Sequence, residues 1–197
     1  HRKNKKTDKN YKLFLNLGIA TLPIIPAGYL VNYYSGDILR SMEVIGWATI
    51  VFAIVLLLAD KVSMTFRKLD HISYSGALVI GLFQIIALIP GTSRAGITIT
   101  AARFLGVERQ DAAKFSMLLS IPVIIAAGAL KLADAYTIGD PKVILDLIEI
   151  ASLTFIIALA TIFIFLRWLK NSSFTPFVIY RLILGGAIIL FAYQPYI

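Results

Sequence analysis

A single arginine lies inside an otherwise apolar stretch, in the segment Pro90-Gly91-Thr92-Ser93-Arg94-Ala95-Gly96. A charge at membrane depth is costly, so it usually faces a protein interior or a water-filled cavity and marks a functional site. The neighbouring residues let a chain turn inside a membrane. Pro90 removes a backbone donor, and Gly91 and Gly96 accept unusual dihedral angles. The hydroxyl groups of Thr92 and Ser93 can satisfy freed backbone groups. Backbone amides at the start of a helix, together with a guanidinium, suit an oxyanion such as phosphate. The segment therefore predicts an anion pocket with Ser93 and Arg94 at its tip.

Structural roles are the alternative for these polar residues. Arg94 could tie helices together through a buried carboxylate, but no acidic residue lies between Asp70 and Glu108. Gln84 could hydrogen-bond across the pocket or to a neighbouring helix. Arg181 could be a packing ion or a second charge in the cavity. The residues alone leave both of these alternatives open.

Composition indicates a polytopic integral membrane protein. The 197 residues are 58% hydrophobic and only 15% charged, with a mean hydropathy of +0.81. This is more apolar surface than a soluble core of this size could bury. The net charge of +8 does not indicate nucleic acid, because the basic residues lie between apolar segments and form no face interleaved with aromatic residues. The chain has no cysteine, which excludes disulfides and thiolate metal sites.

The apolar segments predict an all-α membrane domain covering residues 1–197. A spanning helix needs about 20 apolar residues, and five segments qualify: residues 13–31, 42–59, 115–132, 147–166 and 176–193. We expect Pro23 and Pro26 to kink the first span and Asn16 to face the interior. Residues 72–107 are interrupted at Pro90-Gly91, and their second limb is too short and too polar to cross alone. We predict a re-entrant helix hairpin over residues 72–107.

The distribution of lysine and arginine favours this hairpin. If residues 72–107 enter and leave on one side, 14 of the 19 basic residues lie on that side and three on the other, with Arg94 and Arg181 within the membrane. A single crossing would place basic loops on both sides. The 14-charge side is then cytoplasmic, and the Pro-Gly tip points outward from it.

Three segments carry a resemblance to a known family: residues 81–99 around Arg94, residues 115–122 (Phe-Ser-Met-Leu-Leu-Ser-Ile-Pro) and residues 176–181 (Pro-Phe-Val-Ile-Tyr-Arg). They closely resemble the bacterial undecaprenyl-diphosphate phosphatases, the bacitracin-resistance family. Two features depart from the family pattern. Ala95 stands where the family usually has serine. The family's second signature, a Glu-x-x-x-Glu helix followed by a Ser-Ser-Thr-Gly-His-like turn, is expected upstream of His1, so we predict that these 197 residues alone are inactive or nearly so.

The resemblance implies two re-entrant hairpins in inverted repeat, of which this chain would hold half, meeting in a pocket open to the outer face of the bacterial inner membrane. It implies hydrolysis of undecaprenyl diphosphate to undecaprenyl phosphate and inorganic phosphate, which recycles the lipid carrier for cell-wall synthesis and gives bacitracin resistance. It also implies a divalent metal, Mg or Ca, whose ligands would lie upstream of these residues. Asp134, Asp140 and Asp146 are too far along the chain to be expected as substitutes.

The same resemblance assigns roles to residues of the Pro-Gly segment. The arginine would neutralise diphosphate charge, and a hydroxyl would bind phosphate oxygens or act as nucleophile. The expected partners are the polyprenyl diphosphate lipid, membrane lipids and a second copy in a homodimer. We predict two sets of site residues: Arg94 and Ser93 as catalytic, with Thr92, Gly91, Gly96 and Gln84 as substrate-binding.

The residues also bear on rival functions. The type-2 phosphatidic-acid phosphatases use Ser-Arg, five residues, His, three residues, Asp, but those positions hold Thr100 and Phe104 here, which excludes their mechanism. A transporter or flippase for an anionic lipid is the strongest alternative, because broken helices and a mid-membrane charge are also transporter features. A purely structural subunit would not need Arg94.

Overall fold

The computed structural model describes residues 2–34, 38–138 and 141–194, and these residues form helices and connecting loops. Eight α-helices follow one another along this part of the chain: α1 (Arg2–Thr21), α2 (Ile24–Tyr34), α3 (Met42–Val62), α4 (Tyr74–Ile85), α5 (Arg94–Phe104), α6 (Arg109–Ile138), α7 (Pro141–Trp168) and α8 (Thr175–Ala192). The described residues contain one isolated β-bridge and no strand.

Five helical stretches are long and apolar enough to cross a membrane: Asp8–Val31, Met42–Val62, Arg109–Ala133, Ile144–Trp168 and Thr175–Ala192. They coincide with the five predicted spans, which confirms an all-α polytopic membrane protein. The helices α6 and α7 run further than the predicted spans, into the expected loop between residues 132 and 147. Alanines, which favour helix, continue α6 beyond the apolar span. Pro141 is the first residue of α7, a position whose N–H has no partner within the helix, so proline is tolerated there.

The first span is broken where proline predicts a kink. The helix α1 ends at Thr21 and α2 begins at Ile24, since Pro23 has no N–H to continue the helical bonds. Asn16 is 1% exposed, and its Nδ2 donates to the carbonyl oxygen of Ile72 at 3.0 Å. The prediction that Asn16 faces the interior is confirmed.

The helices α4 and α5 form a hairpin whose two outer ends meet. They pack against each other, and the chain before α4 is hydrogen-bonded to the chain after α5. Arg67 N donates to Gly106 O at 3.0 Å, and Glu108 N donates to Arg67 O at 2.9 Å. Residues 72–107 therefore begin and end at the same end of the molecule.

The polar second limb is surrounded by protein. Every residue of α5 from Gly96 to Arg103 is buried, because α3, α4 and α6 all pack on this helix. Its polar side chains find partners inside the protein: Thr98 Oγ1 lies 2.7 Å from Ser116 Oγ, and Thr100 Oγ1 donates to Gly96 O at 2.8 Å. These bonds allow a polar helix of 11 residues to lie at the centre of an apolar domain.

A buried ion cluster closes the base of the hairpin. Asp60, near the end of α3, is 3% exposed. Its Oδ1 lies 3.4 Å from Arg103 Nε at the end of α5 and 2.6 Å from Arg109 Nε at the start of α6. Its Oδ2 accepts a hydrogen bond from Phe174 N, just before α8, at 3.4 Å. One carboxylate thus joins four segments at the end of the molecule where the hairpin begins and ends.

Candidate functional site

The loop between α4 and α5 has an unusual backbone. Gly91 has φ +91°, and Ser93, with φ +67°, is the one non-glycine residue with positive φ among the described residues. A Cβ on Gly91 would lie 2.3 Å from the carbonyl oxygen of Ile45 in α3, so glycine is needed there for both conformation and space. A serine at positive φ is strained, and such strain persists where the surrounding structure imposes it, commonly at functional sites.

Two helices impose this conformation. From α8, Arg181 Nη2 donates to the carbonyl oxygens of Gly91 at 2.9 Å and Thr92 at 2.8 Å. From α3, Thr49 Oγ1 lies 3.2 Å from the same Gly91 oxygen. The loop is therefore held between α3 and α8, and the start of α5 is fixed with it.

The two hydroxyl side chains of the loop have different environments. Thr92 is fully buried, and its Oγ1 has no hydrogen-bond partner within the described part of the chain. Ser93 is exposed, and its Oγ caps α5 by accepting a bond from Gly96 N at 3.2 Å. Ser93 is therefore the more accessible of the two hydroxyl side chains.

Arg94 is the first residue of α5 and is half-buried. Its Nη1 donates to the carbonyl oxygen of Ser120 in α6 at 3.4 Å. Among residues 2–34, 38–138 and 141–194, no carboxylate forms an ion pair with Arg94. The described residues thus offer no support for the alternative that Arg94 ties helices together through a carboxylate, and its charge is available to an anion at the positive end of a helix.

A large apolar cavity begins beside the loop. It has a volume of about 750 Å³. Ser93, Gly96 and Arg181 contribute to its wall near the loop. Most of the remaining lining is apolar and comes largely from α7, α8 and the segment between them, including Ile162, Phe165, Trp168, Phe174, Phe177 and Tyr180. The exposed Ser93 and the buried Arg181 therefore border an apolar cavity, whereas Arg94 is not part of its lining as far as the described residues show.

Gln84 lies elsewhere. It is fully buried, and its Nε2 donates to the carbonyl oxygen of Ala20 in α1 at 3.4 Å. It is absent from the lining of the cavity beside Ser93, as far as the described residues show. The structure thus gives Gln84 the interhelical contact that was the alternative to a contact across the pocket.

The residues around Arg94 do not fit a divalent cation. The loop supplies hydroxyls, glycines and a guanidinium, whereas Mg²⁺ and Ca²⁺ prefer carboxylate oxygens. No group of three or more His, Cys, Asp or Glu residues that could hold a metal is present within the described ranges. Asp146 is exposed on α7, and Asp140 and the side chain of Asp134 lie outside the described residues.

Sequence reasoning missed two residues that shape the site. Thr49 is a lone hydroxyl within an apolar span, and such residues usually bond within their own helix. Asp60 is an acidic residue at the end of a predicted span. Arg103 and Arg109 carry the opposite charge and were predicted on the same side of the membrane, so an ion pair with Asp60 could have been inferred. The role of Arg181 stayed open because its partners are backbone oxygens about 90 residues earlier.

The described residues define a polytopic membrane protein in which a strained polar loop lies beside an apolar cavity. Residues 1–187 match the family model described as "Bacitracin resistance protein BacA". The chain belongs to this family.

Three bacterial relatives of similar sequence are each named undecaprenyl-diphosphatase. The undecaprenyl-diphosphatase of Jannaschia sp. (strain CCS1) is 46% identical over 183 residues, which is 92% of this chain and 68% of that protein. The undecaprenyl-diphosphatase of Roseobacter denitrificans is also 46% identical over 183 residues, with the same coverage. That of Ruegeria pomeroyi is 43% identical over 184 residues, 93% of this chain and 69% of that protein. The chain therefore spans about two-thirds of the length of these relatives.

Proposed function

We propose that the full-length protein hydrolyses undecaprenyl diphosphate to undecaprenyl phosphate and inorganic phosphate. This reaction recycles the lipid carrier used in cell-wall synthesis and protects against bacitracin. Membership of the family and the undecaprenyl-diphosphatase relatives support the activity. The observation that carries the proposal is that Ser93, next to Arg94 in the loop, lines an apolar cavity of about 750 Å³, because the substrate joins a diphosphate to a long hydrocarbon chain.

The chemistry follows from the loop. An oxygen nucleophile attacks the terminal phosphorus, the bond to the bridging oxygen breaks, and that oxygen leaves with the lipid as its remaining phosphate. Arg94 neutralises the charge that develops on the transferred phosphoryl group. Two-pronged contact by its planar guanidinium also orients the phosphate oxygens. The backbone amides at the start of α5 add donors at the positive end of the helix.

Ser93 contacts the terminal phosphate in one of two ways. As a ligand, its exposed hydroxyl donates to a phosphate oxygen. As a nucleophile, its Oγ forms a covalent phosphoserine that water then hydrolyses. Ser93→Ala distinguishes them: a nucleophile's loss removes nearly all turnover, whereas a ligand's loss lowers the rate moderately. Thr92 is less suited to either role because it is fully buried.

The hairpin and the charge distribution support a location in the bacterial inner membrane with the loop tip directed outward. The hairpin begins and ends at the end of the molecule that carries Arg67, Lys68 and Arg109, and basic residues favour the cytoplasmic side. In the bacterial inner membrane, the tip then points outward and the active site opens to the outer face. The divalent metal and the homodimer, both expected from the family resemblance, stay predictions.

A transporter or flippase is the alternative, and the fate of the lipid separates the two functions. The full-length protein is reconstituted into vesicles with undecaprenyl diphosphate, and the lipid is then extracted and analysed by mass spectrometry. We expect undecaprenyl phosphate together with released inorganic phosphate. Lipid that moves between leaflets but keeps both phosphates would contradict the proposal and support a carrier.

A further inference from the structure

Arg181 has an unsatisfied donor beside the start of α5. The residue is 9% exposed, and its Nη2 is bonded to the carbonyl oxygens of Gly91 and Thr92. Its Nη1 is buried and has no hydrogen-bond partner in the described part of the chain. This nitrogen faces Gly96, since a Cβ built on Gly96 would lie 2.9 Å from it.

The charge of Arg181 is also uncompensated. Among the described residues, no carboxylate forms an ion pair with it, and the buried carboxylate of Asp60 is paired with Arg103 and Arg109 instead. Burying a charge without a partner is strongly unfavourable. An anion beside Gly96 would satisfy both the charge and the vacant Nη1 donor, so the arrangement points to a ligand as well as to loop support.

The two arginines of the site approach it from different sides. Arg181 comes from α8 and lines the apolar cavity together with Ser93 and Gly96. Arg94 reaches towards α6, where its Nη1 contacts the carbonyl oxygen of Ser120. A diphosphate whose hydrocarbon chain occupies the cavity must place its lipid-linked phosphate nearer to the cavity than its terminal phosphate.

We propose that Arg181 binds the phosphate that stays on the lipid, while Arg94 acts on the phosphate that leaves. This assignment rests on the proposed function for the identity of the substrate. It makes Arg181 a substrate-binding residue that also recognises the lipid monophosphate product. Arg94, in contrast, contributes little to binding of that product.

Binding of undecaprenyl phosphate tests the assignment directly, because the product carries only the lipid-linked phosphate. Radiolabelled undecaprenyl phosphate is titrated into detergent-solubilised full-length protein, as wild type and as the Arg181→Lys and Arg94→Lys variants. Arg167→Lys is the matched control, because it alters an exposed arginine at the end of α7. We expect Arg181→Lys to weaken binding roughly tenfold or more, since it loses charge-assisted hydrogen bonds. Arg94→Lys and Arg167→Lys should stay within about threefold of wild type.

A second variant covers the possibility that Arg181→Lys does not fold. Gly96→Ala keeps the arginine and its charge but places a methyl group against Nη1, so the side chain must shift. It should also weaken binding of undecaprenyl phosphate. Wild-type affinity in folded Gly96→Ala or Arg181→Lys protein, or an equal loss in Arg94→Lys, would overturn the assignment.

Failure of the proposed function would look different. If wild-type protein bound undecaprenyl phosphate through Arg181 but released no phosphate from the diphosphate, the binding role would stand and the hydrolase activity would not. If wild-type protein hydrolysed the diphosphate while Arg181→Lys bound the product normally, only the role of Arg181 would be wrong.

Discussion

The carboxylate of Asp60 contacts the guanidinium of Arg109, with 2.6 Å between Oδ1 and Nε. Asp60 is near the end of α3 and Arg109 is the first residue of α6, so the whole hairpin lies between them in sequence. Their contact means that the chain leaves the hairpin where it entered. The orientation of the loop tip, and the face on which the site opens, depend on this arrangement.

Topology is the first prediction. The chain has no cysteine, so single cysteines at Met64, before the hairpin, and Gln110, after it, can be labelled in sealed cells. We expect both to be protected from an impermeant reagent, because both flank the closed base on the basic side. Met42→Cys, at the start of α3, is the control and should be labelled. Opposite labelling of the first two positions would mean that residues 72–107 cross the membrane once.

The loop conformation gives the second prediction. Gly91→Ala should lower stability by about 1–3 kcal/mol and phosphate release by at least about tenfold, because alanine is strained at positive φ and its Cβ would clash with Ile45 O. Gly186→Ala is the matched control, since no heavy atom lies within 4 Å of a Cβ there. Thermal unfolding in detergent and an activity assay measure both effects. Equal behaviour of the two variants would show that the loop tolerates a different backbone.

The ion cluster gives the third prediction. Asp60→Asn should destabilise the protein by about 3–5 kcal/mol, because it leaves the buried guanidinium of Arg103 without its counter-charge. The same change at the exposed Asp146 should have little effect. Denaturant titration in mild detergent would measure the difference. A stability of Asp60→Asn equal to that of Asp146→Asn would contradict the role of the cluster.

Acidification gives the fourth prediction. A hydrogen bond from Lys9 lowers the pKa of Asp70, which lies in the loop before the hairpin, below its ordinary value of 3.8. The contact between Lys9 and Asp70 therefore stabilises the folded protein fully above pH 3.8, and this stabilisation is lost as the pH falls through the lowered pKa. We expect Asp70→Asn to cost less than about 1 kcal/mol near neutral pH, because the pair is partly exposed. The difference in Tm from wild type should shrink as the pH falls from about 4 through the lowered pKa, and growth of the difference would contradict this prediction.

Hydropathy predicts the five spans because a long apolar helix is stable when lipid surrounds it, and all five helical stretches are present. The break at Pro23 and the buried Asn16 also follow from local chemistry. The helical extensions beyond residues 132 and before 147 were missed, since spans were bounded by hydropathy whereas helix propensity continues past the apolar region.

The contacts that shape the site are tertiary and could not be read from local sequence. Arg181 bonds to backbone oxygens, which every residue carries, so nothing in the sequence selects Gly91 and Thr92 as its partners. The strained φ of Ser93 likewise results from contacts made by α3 and α8. Sequence reasoning located the loop and its charge but could not show what holds the loop in place.

The most direct test of the account is the rate of phosphate release from undecaprenyl diphosphate by full-length wild-type protein and its Arg94→Ala and Arg94→Lys variants. Loss of a group that stabilises transition-state charge costs roughly 100- to 1,000-fold in rate. We expect at least that loss for Arg94→Ala, and little residual activity for Arg94→Lys, because a point charge cannot reproduce two-pronged contact. Arg167→Ala should retain wild-type turnover. A folded Arg94→Ala protein with near-normal turnover would show that Arg94 is structural and that the active site lies elsewhere.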